Sequence, residues 1–297
     1  MTQHRPPAEA RCGMTEGAGP VMGRRRLAAE LRRLRAAAGK TIYDVAGAME
    51  CSTGKISRIE TGAVGVRLQD VREMLDLYGV AGAKRAELLD LVRQARQKPW
   101  WHAYADVVPP ASGILYGLEA SATTIEEHSS ALVPGLLQTE RYAEALIGSP
   151  SVVSTDLAKR RVELRMRRQD LLTRPDGPEF QAIIGEAALR EPIGGTDVMI
   201  EQLQHLLAIA KRPRTTIQLR PFGSGKPTAI GSSFVIFAFA DPAYGKVVYV
   251  EQLTRNSYLD ETNDVALYTS LFADISECAL GPADSLKMLD ALIGSFS

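Results

Sequence analysis

The run STGKISRIETG, Ser52 to Gly62, holds the residues best suited to chemistry with a charged polymer. Placed on a helix, Ile56 and Ile59 share one face, while Thr53, Gly54, Lys55, Ser57 and Arg58 fall outside it. That outward set is short, polar and basic, which suits a groove lined by phosphates and base edges. Arg58 can donate two hydrogen bonds to a guanine, and Thr53 can bond a base with its hydroxyl or touch a thymine with its methyl. Other chemistry is poorly supplied. In EEH, Glu126 to His128, a strand turns Glu127 away from its two neighbours, and no partner motif follows. GSGKP, Gly223 to Pro227, has Arg220 where a phosphate loop needs its first glycine and Pro227 where it needs serine or threonine. It reads as a turn. His102, His128 and His205 lack metal-ligand spacing. No catalytic residue, metal or cofactor is expected.

The reading helix needs a scaffold, and the surrounding residues supply one. GRRRLAAELRRLRAAAGK has Leu27, Leu31 and Leu34 at helical spacing, with Gly39 as the stop. TIYDVAGAM follows as a short helix, with Thr41 and Asp44 spaced as a capping box. Val45 and Met49 on that helix face Ile56 and Ile59 on the next, and Ala46 is small where the two must approach. Ser52 caps the second helix and Gly62 stands just past its end. Two more amphipathic helices, RLQDVREMLDLYGV and GAKRAELLDLVRQARQK, complete five helices in about 75 residues.

Pro99 ends that run, and PWWHAYADVVPPASG marks a domain boundary. We divide the chain into a disordered tail at 1–22, a helical domain at 23–98 and an α+β domain at 99–297. TTIEEHSSALVP, EFQAIIG, RTTIQLRPF, SFVIFAFA and KVVYVEQL read as strands. TERYAEALI, TDLAKRRVELRMRRQDLL, TDVMIEQLQHLLAIAKR and the last two apolar-periodic segments read as helices. The basic KRRVELRMRRQDLL reads as a solvated face paired with nearby acids. In VPGLLQTERY, a Pro-Gly turn leads Leu136 and Leu137 to a helix capped by Thr139. Val133, Leu136, Leu137 and Tyr142 form either a core corner or the wall of a ligand or partner site, since both use the same residues. Trp100 and Trp101 read as an anchor between domains or as part of that site.

The formal net charge is zero, yet it is unevenly spread. Residues 1–100 hold 18 Lys and Arg against 11 Asp and Glu, and residues 101–297 hold 17 against 24. A basic front suits a polyanion and an acidic back suits a different task. No apolar run is long enough for a membrane span, no secretory signal is evident, and Cys12, Cys51 and Cys278 are scattered. A cytoplasmic location is expected.

Residues 24–80 resemble the repressor-type helix-turn-helix of the Xre/Cro family, with KISRIETG the most specific piece. The resemblance implies base contacts from Thr53, Gly54 and Arg58, phosphate contact from Lys55, and an ion pair between Arg35 and Glu60. Thr41, Ser52, Ser57 and Arg67 complete the expected set of contacts to double-stranded DNA. Three positions depart from the family: Ile42 stands where glutamine is common, Gly54 has no side chain, and the loop GAVGV is uncharged until Arg67. A single head should therefore bind weakly and work as a homodimer. WWHAYADVV, LEASATTIEEHSSALVPGLLQTERYAEALI, RRVELRMRRQDLL, EAALREPIGG, EQLQHLLAIA and VVYVEQL, in that order, resemble WhiJ-like, toxin–antitoxin-like regulators of actinomycetes over residues 99–292. That resemblance implies a transcriptional regulator whose back half senses a small molecule or a small protein encoded nearby. An antitoxin-like protein that sequesters its partner and controls its own operon is the alternative. An enzyme would need a nucleophile–base pair, and the sequence displays none.

Overall fold

Leu27 and Leu31 on the first helix set the core of the N-terminal region. Both are fully buried, together with Val45, Ile56, Val71 and Leu88 from the helices that follow. The computed structural model describes residues 20–62, 64–96, 98–108, 112–148, 154–224, 233–252 and 256–296. It divides into two units, Met1–Gln97 and Lys98–Ser297. The first holds α1 (Pro20–Ala37), α2 (Ile42–Ala48), α3 (Thr53–Glu60), α4 (Leu68–Leu77) and α5 (Gly82–Ala95). Helix α1 begins inside the stretch expected to be tail: it starts at Pro20, and Met22 is buried. The remainder of that stretch lies outside the described residues. Charges on the outer faces pair locally, with Arg26 on Glu87 at 2.7 Å and Lys84 on Glu30 at 3.0 Å.

The second unit opens with a 3-10 turn, Trp100–Tyr104, and α6 (Ser112–Ser121). There follow β1 (Thr124–Ser129), α7 (Glu140–Gly148), α8 (Thr155–Arg168), β2 (Glu179–Gly185), α9 (Glu186–Arg190) and α10 (Thr196–Ile209). Four strands and two helices end the unit: β3 (Thr215–Arg220), β4 (Phe234–Ala238), β5 (Val247–Val250), β6 (Ser257–Leu259), α11 (Thr262–Cys278) and α12 (Pro282–Phe296). The six strands form one sheet in the order β3-β2-β1-β4-β5-β6. Strands β1, β2 and β3 are parallel, and β4, β5 and β6 continue antiparallel. The fold is α+β, as the sequence pattern implied.

Alternation along the strands divides the sheet into two faces. On one face Ile183, Phe234, Ile236, Val248 and Val250 pack against Phe272 and Ile275 of α11. His128 lies opposite Phe234 across the β1–β4 ladder, and therefore on that face. Glu127 points to the other side. The outer edge of β3 is closed: Leu280 donates its N–H to the Leu219 carbonyl at 2.8 Å, and Leu219 donates its own to the Ser285 hydroxyl at 3.0 Å. Capping an edge strand in this way blocks unwanted strand pairing.

Candidate nucleic-acid interface

The turn between α2 and α3 is built from caps. Thr41 accepts the Asp44 N–H at 3.2 Å, and the Asp44 carboxylate accepts the Thr41 N–H at 2.7 Å, which completes the capping box. The Thr41 hydroxyl also donates to Asp44 at 2.7 Å, and these bonds hold the Asp44 carboxyl below its usual range. Ser52 accepts the Lys55 N–H at 3.2 Å and starts α3. Between the two helices Glu50 sits at φ 49°, a left-handed conformation that a non-glycine residue adopts at a cost of roughly 1–2 kcal/mol. Beyond α3, Gly62 takes φ 69°, where glycine is unstrained.

Helix α3 has a sharp division of faces. Ile56, Ile59 and Glu60 are buried, while Gly54, Ser57 and Arg58 are exposed and Thr53 and Lys55 are half-buried. The inward carboxylate is met by Arg35, whose Nε lies 2.8 and 3.0 Å from the two Glu60 oxygens. Arg35 also donates from Nη1 to the Lys40 carbonyl at 2.9 Å. The Glu60 bond raises the Arg35 pKa against the opposing effect of burial. The pair is deep, with side-chain exposures of 15% and 4%, and ties α1 to α3. Tyr78 lies near both charges, and its hydroxyl is buried without a hydrogen-bond partner.

The outward residues are held in specific places. Arg58 folds along its own helix and donates to the Gly54 carbonyl at 3.2 Å. Lys55 reaches Asp70 of α4 at 2.8 Å. Gly54 faces open space, since an added Cβ would meet only the Ser52 hydroxyl at 4.0 Å. Its lack of a side chain leaves room for another backbone or a phosphate to approach. Arg67 is exposed at the start of α4 and makes no capping bond. Tyr43 was not among the expected contacts, yet at 79% it is the most exposed large apolar side chain among the described residues. Helical spacing could have marked it: Ile42, Val45 and Ala46 lie inward, which turns Tyr43 out.

A helix-turn-helix domain matches residues 26–88, and the domain of unknown function DUF5753 matches residues 114–291, more than half of the chain. The chain belongs to the DUF5753 family. No curated protein and no solved structure matches it. The helix-turn-helix match contains every residue in the expected set of DNA contacts.

Within the second unit, which carries the DUF5753 domain, the residues expected at a ligand or partner site are brought together as a filled corner. Val133, Leu136, Leu137 and Tyr142 are each 2% exposed or less. Polar groups lock the corner from inside. Gln138 donates to the Val133 carbonyl at 2.7 Å, and Gln202 accepts the Thr139 N–H and donates to the Leu137 carbonyl, both at 2.7 Å. Thr139 also accepts the Tyr142 N–H at 3.3 Å, so its capping role is present. With no face presented, these residues are core and not pocket wall: the apolar side chains satisfy each other. Trp100 and Trp101 pack with Tyr116 at centroid distances of 6.5 and 6.2 Å, inside the second unit.

The basic helix α8 is only partly the solvated face expected of it. Arg160 pairs with Asp106 at 3.0 Å and Arg167 with Asp170 at 2.5 Å, both near the surface. Arg165 and Arg168 turn inward instead. Arg165 donates to Gln138 at 2.6 Å, and burial lowers its pKa. Arg168 binds both oxygens of Glu119 at 3.0 and 2.5 Å and lies 4.8 Å over the Tyr116 ring.

Beside this pair, Glu127 is pushed up to about 8 by burial and by the charges of Glu119 and Glu251, against the pull of Arg168. Its folded pKa exceeds its unfolded value, so the folded state holds the proton more tightly. The stabilisation is complete below about pH 4.5 and is lost as pH rises toward 8. The decline should fall between about pH 5 and 8. Thermal melts of the wild type should weaken over that interval, and Glu127→Gln should flatten the decline. Equal pH slopes in the two proteins would contradict the assignment.

Proposed function

We propose that this chain is a sequence-specific transcriptional regulator of the Xre/Cro type that binds double-stranded DNA as a homodimer. Residues 23–98 form the reading head. Residues 99–297, of the WhiJ-like kind, receive the signal, and no catalytic step is involved. The observation that carries this reading is the division of α3. Its inward face is fixed by Ile56, Ile59 and the Arg35–Glu60 pair, and its outward face offers Thr53, Gly54, Lys55, Ser57 and Arg58. A recognition helix needs that arrangement: a rigid back and a short polar front whose N-terminal residues reach base edges.

In the bound state Arg58 exchanges the Gly54 carbonyl for a guanine edge, and Lys55 exchanges Asp70 for a phosphate. Both existing contacts involve partly exposed side chains, so the exchange costs little. Ser52 and Arg67 flank the groove. Thr41 serves chiefly as a cap, because its hydroxyl is engaged by Asp44. Tyr43 adds a phenol within reach of the backbone.

With Gly54 offering no side chain and Ile42 no hydrogen bond, one head makes few contacts. Tight binding then needs two heads on half-sites about 34–36 Å apart. Titrating the full-length protein against operators of graded half-site spacing tests this. Affinity should peak at one helical turn and fall at half-turn offsets. Affinity that ignores spacing, or that survives deletion of one half-site, would contradict the dimeric reading.

A further inference from the structure

Antiparallel pairing sets Glu127, Val235, Tyr249 and Tyr258 side by side across β1, β4, β5 and β6, on the sheet face away from α11. The neighbouring row on that face, Ile125, Phe237 and Val247, is closed to solvent. In the first row Glu127 and Val235 are only half-buried, although both lie on central strands. The residues that flank them, Ala182 and Tyr249, are 0% and 4% exposed. Farther along the same face Ser233 is half-buried and Glu251 is exposed. The sheet therefore carries a crevice over Glu127 and Val235 that opens toward Glu251.

The charges around the crevice do not balance. On its wall Glu119 of α6 is held through both oxygens by Arg168 of α8. Arg165 of α8 is engaged by Gln138, and Tyr258 accepts the Leu115 N–H of α6. Three carboxylates, on Glu119, Glu127 and Glu251, thus meet two guanidinium groups, on Arg165 and Arg168. With no further cation present, Glu127 restores the balance by keeping its proton. The Glu127 carboxyl and the Tyr249 hydroxyl make no hydrogen bond or ion pair to any described residue. Neither is sealed off from solvent, so both face the opening.

We infer that this crevice binds a small organic ammonium ion, with Glu127 as its counter-ion, the Tyr249 hydroxyl as a second acceptor and Val235 beneath its carbon skeleton. On binding, Glu127 releases its proton to solvent and the ammonium supplies the missing positive charge. An anion would meet Glu127 and Glu251, while both guanidinium groups are already engaged. A metal ion needs several oxygen ligands at once, and among the described residues no group of His, Cys, Asp and Glu is placed to supply them. Glu127 and Tyr249 stand two strands apart, about 10 Å, which leaves room for an amine on a short apolar body. The rings of Tyr249 and Tyr258, 5.2 Å apart, add aromatic surface that favours a cation nearby. The assignment deepens, and depends on, the reading of residues 99–297 as the part that receives the signal.

The test uses full-length protein without DNA. Butylamine, benzylamine and phenethylamine, each as the hydrochloride, are titrated calorimetrically at pH 7 in phosphate and in HEPES. At least one should bind, and the difference between the two buffers should show release of about one proton. Its affinity should rise about ten-fold from pH 6 to pH 7, as the Glu127 proton becomes easier to displace. The matching alcohol, which has no charge, should bind roughly ten-fold more weakly or not at all. Glu127→Gln, which keeps the size of the side chain and its neutral form, should abolish binding while the tryptophan-monitored melt shows a folded domain. Tyr249→Phe should weaken binding about three- to ten-fold. Failure of all three amines, binding unchanged in Glu127→Gln, or equal binding of the alcohol overturns the inference. A bound amine that leaves operator affinity unchanged would confirm the site and contradict its role in signalling.

Discussion

Arg168→Ala should lower the melting temperature of the DUF5753 domain by roughly 10 °C and leave the helix-turn-helix domain unaffected. The Arg168 side chain is 10% exposed and its partner Glu119 is 7% exposed. Removing the guanidinium strands a buried carboxylate, a loss of roughly 3–5 kcal/mol. For a domain of 150–250 residues each kcal/mol moves the melt by about 2–4 °C. The contact on Tyr116 is lost as well, and with it part of the packing around Trp100 and Trp101. Both tryptophans of the chain lie in that unit, so their fluorescence reports its unfolding directly. Arg168→Lys should not rescue the domain, because an ammonium cannot make the two-point contact. Replacing both partners, Arg168→Met with Glu119→Leu, should recover much of the loss, since no buried charge is then left alone. A wild-type melt in Arg168→Ala would show that the pair contributes nothing.

Arg35→Ala should have the complementary effect. It leaves Glu60, at 4% side-chain exposure, without its cation and beside the unsatisfied Tyr78 hydroxyl. The loss is again roughly 3–5 kcal/mol. A domain of 60–100 residues loses about 4–8 °C per kcal/mol, so the shift should be about 15 °C or more. Far-UV circular dichroism should show early loss of helix while tryptophan fluorescence keeps its wild-type transition. Because Glu60 belongs to α3, operator binding should fall in parallel. A single unshifted transition by both probes would show that the pair does not anchor the helix.

The two predictions differ in how far the sequence foretold them. The Arg35–Glu60 pair was expected from resemblance, and the caps at Thr41 and Ser52 from spacing alone. Caps depend on residues three apart, and the amphipathic helices on a period of 3.6, so both are local and readable. Arg168 and Glu119 lie 49 residues apart, and α8 carries so many charges that a solvated face was the natural expectation. Nothing local distinguishes the two arginines that turn inward. The short elements α9 and β6 are too brief for periodicity to register. In VPGLLQTERY the residue types suited a core corner and a pocket wall equally, and only packing decided between them. The crevice on the sheet was hidden for another reason: Glu127, Val235 and Tyr249 meet only because β1, β4 and β5 pair in one register.

The claim that α3 reads DNA is tested most directly by comparing Arg58→Ala and Lys55→Ala in titrations against an operator and its single-base variants. Arg58→Ala should cost about 1–3 kcal/mol on the operator and erase the preference at one base position. Lys55→Ala should weaken every sequence alike and reduce the slope of log affinity against log salt by about 1. Neither side chain is buried, so both proteins should melt as the wild type does. If Arg58→Ala keeps full discrimination at every position, α3 is not the reading element and the account fails.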